Sequence, residues 1–201
     1  MPSTRFIEKN LSTALVVALF LAYLGRLYFP PTHALFYNSD FEVGTLANWN
    51  SQGWANERKA FDNQPTYGDN PWYRNAGSCH PAGDYWVGSF ENRHDPEEPK
   101  GRSQGEDPIG RLVSVPFEIR KGKIEFRLGG GDNTDREGVG LEVGGQMVRF
   151  ERGRGLLIEG EQMRRVVWDV TPWIGKQAQV VIVDESRGPW GHINADDFRY
   201  S

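Results

Sequence analysis

The sequence contains one cysteine, Cys79, and no block of lysine or arginine. A single cysteine excludes an intramolecular disulfide, so stability has to come from the core or from a bound metal. The formal charge of −4 and the lack of a basic stripe indicate no nucleic-acid partner. We expect Cys79 itself to be a half-buried thiol in a loop.

Long runs of helix-forming residues are also missing, whereas glycine (24 residues), proline (12) and tryptophan (7) are plentiful. This composition favours an all-β domain with many turns. Gly144-Gly145 predicts a hairpin, and the stretch from Thr171 to Gly175 predicts a single helical turn. The predicted strands cover residues 35–42, 84–91, 110–119, 123–130, 138–143, 146–152, 163–170, 177–186 and 192–200. We therefore predict two packed sheets that form a jelly-roll β-sandwich.

Only one long hydrophobic run is present, from Leu11 to Tyr28. As a helix, its roughly 18 residues would span about 27 Å, which is close to the thickness of a bilayer core. Arg5 and Lys9 precede the run, and this favours a cytoplasmic N-terminus with the C-terminal domain outside. The run has no polar face, which argues against a buried helix of a globular core.

We divide the chain accordingly. Residues 1–34 form a cytoplasmic stub, a hydrophobic signal-anchor helix and a linker, and residues 35–201 form the β-sandwich domain. This predicts a membrane-anchored protein whose domain is extracytoplasmic. Thr32-His33-Ala34 is an acceptable cleavage site for a signal peptide, and cleavage there would make the protein secreted.

Two long stretches between predicted strands fit no strand pattern. Residues 50–83 carry Trp54, Tyr67, Trp72 and Tyr73, which either pack over one end of the sandwich or face a ligand. Residues 92–108 are charged and lack aromatic residues, so we predict a mobile surface loop there.

Several segments together resemble a known family. They include NSDFEVGTLANW, which begins at Asn38, LGGG at residues 128–131, and WGHINADDF at residues 190–198. They resemble the galactose-binding-like jelly-roll module found beside catalytic domains in levanases and related family 32 glycoside hydrolases, and more loosely carbohydrate-binding modules. The resemblance covers residues 36–200. It implies a binding or accessory role without catalysis, and a structural calcium ion held between the first and last strands.

Sugar binding would use an aromatic ring that stacks on a sugar ring, with polar groups that fix its hydroxyls. Trp49, Trp86, Trp168 and Trp173 occupy strand or helical-turn positions, where core packing is the ordinary explanation. The candidate stacking residues are Trp54, Trp72, Tyr73 and Trp190. The candidate hydrogen-bonding residues are Asp132, Asn133, Asp184, Glu185, Arg187 and His192. For His192 the alternative is a structural histidine bonded to a loop carbonyl.

Calcium prefers six to eight oxygen ligands, mainly carboxylates and main-chain carbonyls. Asp40 and Glu42 lie two positions apart, on one side of the predicted first strand. If the first and last strands are neighbours, as the resemblance implies, these acids would meet Asp196 and Asp197, and the cluster would repel itself without a cation. The alternative is that all four acids are solvated edge charges.

The sequence therefore predicts a membrane-tethered domain that binds carbohydrate or a glycoconjugate and has no chemistry of its own. One alternative is an adhesion or protein-interaction ectodomain of the same fold, whose long loop contacts a protein partner. A small glycoside hydrolase is a third, because pairs of carboxylates are available, although none lies in a recognisable catalytic motif.

Overall fold

The computed structural model describes residues 32–55, 57–61, 64–69, 78–133, 136–155 and 160–201. The predicted anchor helix, from Leu11 to Tyr28, lies outside these ranges. Within them, no helix has both the length and the apolar character needed to span a membrane.

The described part of the chain is built from β-strands, joined by turns and one short 3₁₀ helix. The strands are β1 (Trp49–Gln52), β2 (Thr66–Tyr67), β3 (Tyr85–Gly88), β4 (Gly110–Ser114), β5 (Phe117–Glu118), β6 (Lys123–Gly130), β7 (Glu137–Val143), β8 (Gln146–Glu151), β9 (Arg164–Asp169), β10 (Gln177–Asp184) and β11 (Ile193–Tyr200). The 3₁₀ helix covers Thr171–Trp173.

Two antiparallel sheets face each other. One has the order β1-β4-β10-β7-β8, with β5 also paired to β10, and the other has the order β2-β3-β11-β6-β9. Strands β4 and β7 begin, and β1 and β10 end, at the same end of the first sheet. We call this the loop end of the sandwich. The predicted all-β sandwich is confirmed.

The core lies between the sheets and follows the alternation of each strand. Leu112, Leu141 and Ile182 contribute from the first sheet, and Phe126 and Phe198 contribute from the second. Phe126 stacks on Phe198 with ring centroids 5.1 Å apart. The tryptophans predicted for the core are placed there: Trp49, Trp86 and Trp168 are buried, and Trp173 packs against the core from the 3₁₀ helix.

The hairpin at Gly144-Gly145 and the helical turn at Thr171 were both predicted correctly from local turn residues. Gly144 and Gly145 join β7 to β8 with φ angles of 59° and 76°, the left-handed values that a tight hairpin turn of this type requires. The 3₁₀ helix begins at Thr171 and carries Pro172 in its first turn, and Gly175 follows it with φ of 80°.

The predicted strand over residues 35–42 is wrong, because these residues form successive turns. Asn38 and Phe41 have φ angles of 64° and 62°, which no regular strand accommodates. The Asn38 side chain holds the turns together: Nδ2 donates to the carbonyls of Thr45 and Ala47, and Oδ1 accepts from the Val43 amide.

The segment that precedes these turns runs beside the end of β11. The Tyr200 amide donates to the His33 carbonyl at 2.6 Å, and the Phe198 amide donates to the Ser39 carbonyl at 3.1 Å. Ser39 Oγ donates in return to the Phe198 carbonyl at 2.7 Å. The start of the domain therefore lies against its last strand, although not as a regular strand.

Three further expectations need correction. The predicted strand over residues 110–119 is divided into β4 and β5 at Pro116, which has no amide to donate to a ladder. Residues 92–108 are not simply an exposed loop, because Arg93 is buried and donates to the Tyr67 carbonyl at 3.0 Å. Cys79 is fully buried, in a small apolar cluster with Trp86 and Met163.

Candidate functional site

A cleft of about 680 Å³ opens at the loop end of the sandwich. It forms where β10 ends and β7 begins, and the turn after β1 closes its other side. Its lining includes the side chains of Trp54, Glu57, Asn133, Arg136, Glu185 and Arg187, and Ser186 lies between the last two. The lining therefore combines one large aromatic ring with charged and uncharged polar groups.

Trp54 supplies the aromatic surface. Its side chain is 46% exposed, in a turn that the Glu57 amide closes by donating to the Trp54 carbonyl at 3.2 Å. Trp54 also borders a second cleft of about 360 Å³, which Gln52 and Arg111 line. An exposed indole between two clefts is an arrangement that can stack on a ring of a bound ligand.

Two ion pairs fix the charged side chains of the cleft. Arg187 Nη2 lies 2.5 Å from Glu57 Oε2, and this contact joins the end of β10 to the turn after β1. Arg111 Nε lies 2.6 Å from Glu185 Oε1. Both glutamates therefore have an arginine as their charge partner.

Arg136 is placed differently. Its Nη2 donates to the main-chain carbonyl of Glu185 at 2.8 Å, and the Glu185 amide donates to the Arg136 carbonyl at 2.7 Å. Among the described residues, no carboxylate forms an ion pair with Arg136. Its guanidinium is thus positioned by a neutral group and has no ion-pair partner within the described part of the chain.

A buried polar cluster lies at the same end, where β11 begins. His192 is 2% exposed and lies between two carboxylates: Nδ1 is 3.0 Å from Glu106 Oε2, and Nε2 is 3.1 Å from Glu161 Oε1. Burial alone would lower the pKa of His192, but the hydrogen bonds and charges of Glu106 and Glu161 raise it to about 9. His192 is therefore a charged residue that ties two loops to β11.

Glu137 and Asp184 connect this cluster to the cleft. Burial, reinforced by the charge of Asp184, raises the pKa of Glu137 to about 8, and burial raises the pKa of Asp184 to about 7. The Asn133 amide donates to Glu137 Oε2 at 3.4 Å, and the Ser186 amide donates to Asp184 Oδ1 at 3.4 Å. Asn133 Nδ2 donates to Ser186 Oγ at 2.9 Å. The two buried acids thus support the uncharged part of the cleft lining.

The structure brings together four of the predicted ligand-binding residues, Trp54, Asn133, Glu185 and Arg187, in one cleft. Asp132 instead lines a separate cleft of about 320 Å³ with Arg152 and Arg154. Trp72 and Tyr73 lie outside the described residues.

The remaining three predicted ligand-binding residues lie elsewhere. Asp184 and His192 are buried behind the cleft surface. Trp190 is partly buried, and its ring stacks on that of His192 with centroids 5.6 Å apart. Its φ of 65° belongs to the turn between β10 and β11, where the Gly191 amide donates to the Gly188 carbonyl.

Sequence reasoning missed Glu57, Arg136 and Ser186. Glu57 and Arg136 lie in polar stretches whose composition resembles that of any solvated loop, so their types gave no signal. Ser186 adjoins the predicted residues Glu185 and Arg187, and that adjacency was the one available indication.

The four predicted calcium ligands lie where β11 meets the start of the domain. Asp196 is buried, and its Oδ2 accepts from the Ala82 amide at 2.7 Å. Glu42 accepts from the amides of Asp84 and Tyr85 at 3.0–3.1 Å. Asp40 Oδ1 accepts from the Glu42 amide at 3.3 Å, and Asp197 forms an ion pair with Arg199 at 3.0 Å.

Asp196 alone of these acids keeps an unsatisfied oxygen, because no described group donates to its buried Oδ1. Burial, and then the nearby charges of Asp197 and Glu42, raise the pKa of Asp196 well above its ordinary value. No group of three or more histidine, cysteine or acidic residues within the described ranges is arranged to hold a metal ion.

Comparison with known proteins gives a partial sequence match and several structural ones. No family model matches the chain. Over 97 residues, or 48% of the chain, it is 32% identical to the Aspergillus rugulosus protein described as "Putative glycosyl hydrolase ecdE". The match covers 13% of that relative, so the chain corresponds to a small part of its length.

Among solved structures, a cyclase from Fischerella sp. TAU superimposes with a TM-score of 0.50 over 84% of this chain and 95% of its own, at 12% identity. TmCBM61, solved in complex with β-1,4-galactotriose, superimposes with a TM-score of 0.43 over 82% of this chain and 95% of its own, at 16% identity. The K1 cleaved adhesin domain of Lys-gingipain from Porphyromonas gingivalis W83 superimposes with a TM-score of 0.44 over 76% of this chain and 89% of its own, at 14% identity. At 12% identity, the likeness to the cyclase is one of fold alone.

Proposed function

We propose that this protein is a non-catalytic carbohydrate-binding domain whose ligand lies in the cleft beside Trp54. The observation that carries the proposal is the exposed indole of Trp54 in a cleft shared with Asn133, Glu185 and Arg187. An aromatic face combined with a few fixed polar groups is the usual means by which proteins bind sugar rings.

Two further facts support a sugar ligand. The relative from Aspergillus rugulosus is described as a glycosyl hydrolase, a class of protein that acts on sugars, and this chain matches a small part of it. The β-sandwich places the cleft at the ends of strands, where loops can vary while the scaffold stays fixed.

Absence of catalysis is part of the same proposal. Glycosidases use two carboxyl groups, one of which must be protonated to act as the acid. The two carboxylates that line the cleft, Glu57 and Glu185, are each engaged in an ion pair with an arginine. We expect the domain to hold a saccharide without cleaving it.

The test is a glycan array probed with the full chain and with Trp54→Ala. We expect a saccharide signal that Trp54→Ala removes and Trp54→Phe partly keeps, since phenylalanine retains a smaller stacking face. Met147→Ala is the matched control, because Met147 is a comparably exposed apolar residue on β8, outside the cleft.

The outcomes separate the three functions considered. Binding that survives Trp54→Ala would contradict the proposed site. A blank array together with a protein that co-purifies would favour the adhesion function. Release of reducing sugar from a bound glycan, lost on substitution of Glu57 or Glu185, would favour the hydrolase.

We also propose that the domain is tethered to a membrane through the hydrophobic run from Leu11 to Tyr28, with the cleft on the outer side. This rests on the length of the run and on Arg5 and Lys9 before it. Fractionation of expressing cells tests it. Protein that remains with membranes after alkaline wash supports a tether, and protein recovered in the medium without the run indicates a cleaved signal peptide.

A structural calcium ion is the last part of the proposal. The buried, unsatisfied Oδ1 of Asp196 and the neighbouring Glu42 carboxylate fit a hard cation, which prefers oxygen ligands. Asp197 fits less well, because Arg199 already compensates its charge. We expect Asp196 and Glu42 to hold the ion, which would offset the cost of burying Asp196.

A further inference from the structure

Both glutamates of the Trp54 cleft are already paired with an arginine other than Arg136. Arg111 forms an ion pair with Glu185, and Arg187 forms one with Glu57. Arg136 is the third arginine of this group, and among the described residues its guanidinium bonds only to a neutral carbonyl, that of Glu185. Arg136 and Arg187 of the cleft, together with Arg111 of the adjoining cleft, thus face two carboxylates, Glu57 and Glu185, and Arg136 is the one of these three arginines without an ion-pair partner among the described residues.

A neutral sugar does not require a charged partner in order to bind. Sugar hydroxyls are well served by the amide of Asn133 and the hydroxyl of Ser186, both of which line the cleft. An arginine is distinguished by a planar fork of N–H donors, which matches a carboxylate or a similar anionic group with two parallel hydrogen bonds.

The position of Arg136 suits such a role. The guanidinium is exposed to the cleft, and the bond from Nη2 to the Glu185 carbonyl orients it while its other N–H groups stay available. The main-chain bond from the Glu185 amide to the Arg136 carbonyl, at 2.7 Å, fixes the backbone beneath it. An anion bound here would pair with a pre-positioned donor, so little side-chain entropy would be lost.

We infer that the cleft selects saccharides that carry an anionic group, with the sugar ring on Trp54 and the anionic group on Arg136. The inference rests on the proposed carbohydrate-binding function and specifies its ligand class. A uronic acid carboxylate and a sulfate ester share the required chemistry, and the experiment distinguishes them.

The experiment measures the affinity of the full chain, by calorimetry, for matched pairs of oligosaccharides. The probes are oligogalacturonate and oligoalginate, each with its carboxyl-reduced counterpart, and a sulfated galactan oligosaccharide with its desulfated counterpart. We expect an anionic member to bind about tenfold more tightly than its neutral counterpart, the value of one charge-assisted bidentate contact. This preference should shrink as salt is raised, because the cleft is open to solvent.

Arg136→Gln should abolish the preference, measured as the ratio of the two affinities within each matched pair. Arg136→Lys keeps the charge but not the fork, so it should retain only part of the preference. Arg154→Gln is the matched control, since it removes an exposed arginine from a different cleft. Unfolding temperatures of all three variants verify that they fold.

The results distinguish failure of the inference from failure of the proposed function. A neutral oligosaccharide that binds as tightly as its anionic counterpart, or a preference that persists in Arg136→Gln, overturns the inference while the proposed function stands. Binding of carboxylated but not sulfated probes identifies the uronic acid as the source, and the reverse identifies the ester. If no saccharide binds and the array is blank, the proposed function fails and the inference falls with it.

Discussion

His192 Nε2 lies 3.1 Å from Glu161 Oε1, and on the other side of the same ring Nδ1 lies 3.0 Å from Glu106 Oε2. The three residues come from separate loops and from the start of β11. Glu161 also accepts from Asn194 Nδ2 at 3.2 Å, so the contact extends into the strand. The two loops that carry Glu106 and Glu161 are thereby attached to the start of β11 through charged hydrogen bonds.

The first prediction concerns pH. The pKa of His192 is raised from 6.5 to about 9 in the folded protein, so its stabilisation is fully present below pH 6.5 and is lost as the pH rises through about 9. We expect the melting temperature to fall between pH 6.5 and 9. His192→Gln should lower the melting temperature at pH 6 and flatten the dependence above it. An equally steep decline in the variant would contradict this assignment.

The second prediction concerns Glu137, which is fully buried and has an unsatisfied Oε1. Its pKa is raised from 4.5 to about 8, so folding is penalised increasingly as the pH rises from about 4.5 to 8, because only the unfolded chain ionises this group freely. Glu137→Gln removes the ionisation. We therefore expect the free energy of unfolding of the variant, relative to that of the wild type, to be higher at pH 8 than at pH 5. Urea unfolding at the two pH values measures this difference.

Glu57→Gln is a control for this comparison, because Glu57 is an exposed carboxylate at the same end of the sandwich. Its pair with Arg187 is solvent-exposed and should contribute no more than about 1 kcal/mol to the free energy of unfolding. A gain at pH 8 of the same size in Glu57→Gln would show that the effect of Glu137→Gln does not come from its burial.

The third prediction tests the core. The Phe126 ring packs between Trp168, at 4.6 Å, and Phe198, at 5.1 Å, and joins β6 to its two neighbours. Phe126→Ala should lower the free energy of unfolding by about 3–5 kcal/mol, because the vacated space cannot be refilled by rigid rings. Val167→Ala, on the exposed face of the adjacent β9, should change it by less than about 1 kcal/mol. Chemical denaturation of both variants compares the two values.

Features determined by neighbouring residues could be predicted from the sequence. The Gly144-Gly145 hairpin and the turn at Pro172 depend only on local backbone preferences. Trp54 could be proposed because a large aromatic in a long polar loop is uncommon without a reason, and four proposed ligand residues do share one cleft.

Features determined by distant partners could not be predicted. Residues 35–42 are rich in the aromatic residues that strands favour, but the Asn38 side chain reaches carbonyls seven and nine residues away and holds the chain in left-handed conformations. The pairing of His192 with Glu106 joins residues 86 positions apart, and no spacing rule connects them. Arg136 lacks an ion-pair partner among the described residues because the nearby glutamates pair with other arginines, and the sequence does not indicate which pairs form.

The final prediction concerns calcium and the end of the chain. Strand alternation would place Asp196 and Asp197 on opposite faces, but Asp197 has a φ of 56° and the β11–β6 register shifts after Asp196. This bulge turns Asp197 toward Arg199 and leaves Asp196 buried with an unsatisfied oxygen. A cation at Asp196 would supply the missing partner.

If calcium binds there, a chelator should lower the melting temperature, and added calcium should restore it, because the ion binds only the folded state. Asp196→Asn should be insensitive to both, whereas Asp197→Asn, the matched neighbour, should keep the calcium response. A melting temperature unchanged by chelator would rule out the ion. In that case Asp196→Asn should stabilise the domain, since it removes a buried carboxyl group whose Oδ1 has no hydrogen-bond donor among the described residues.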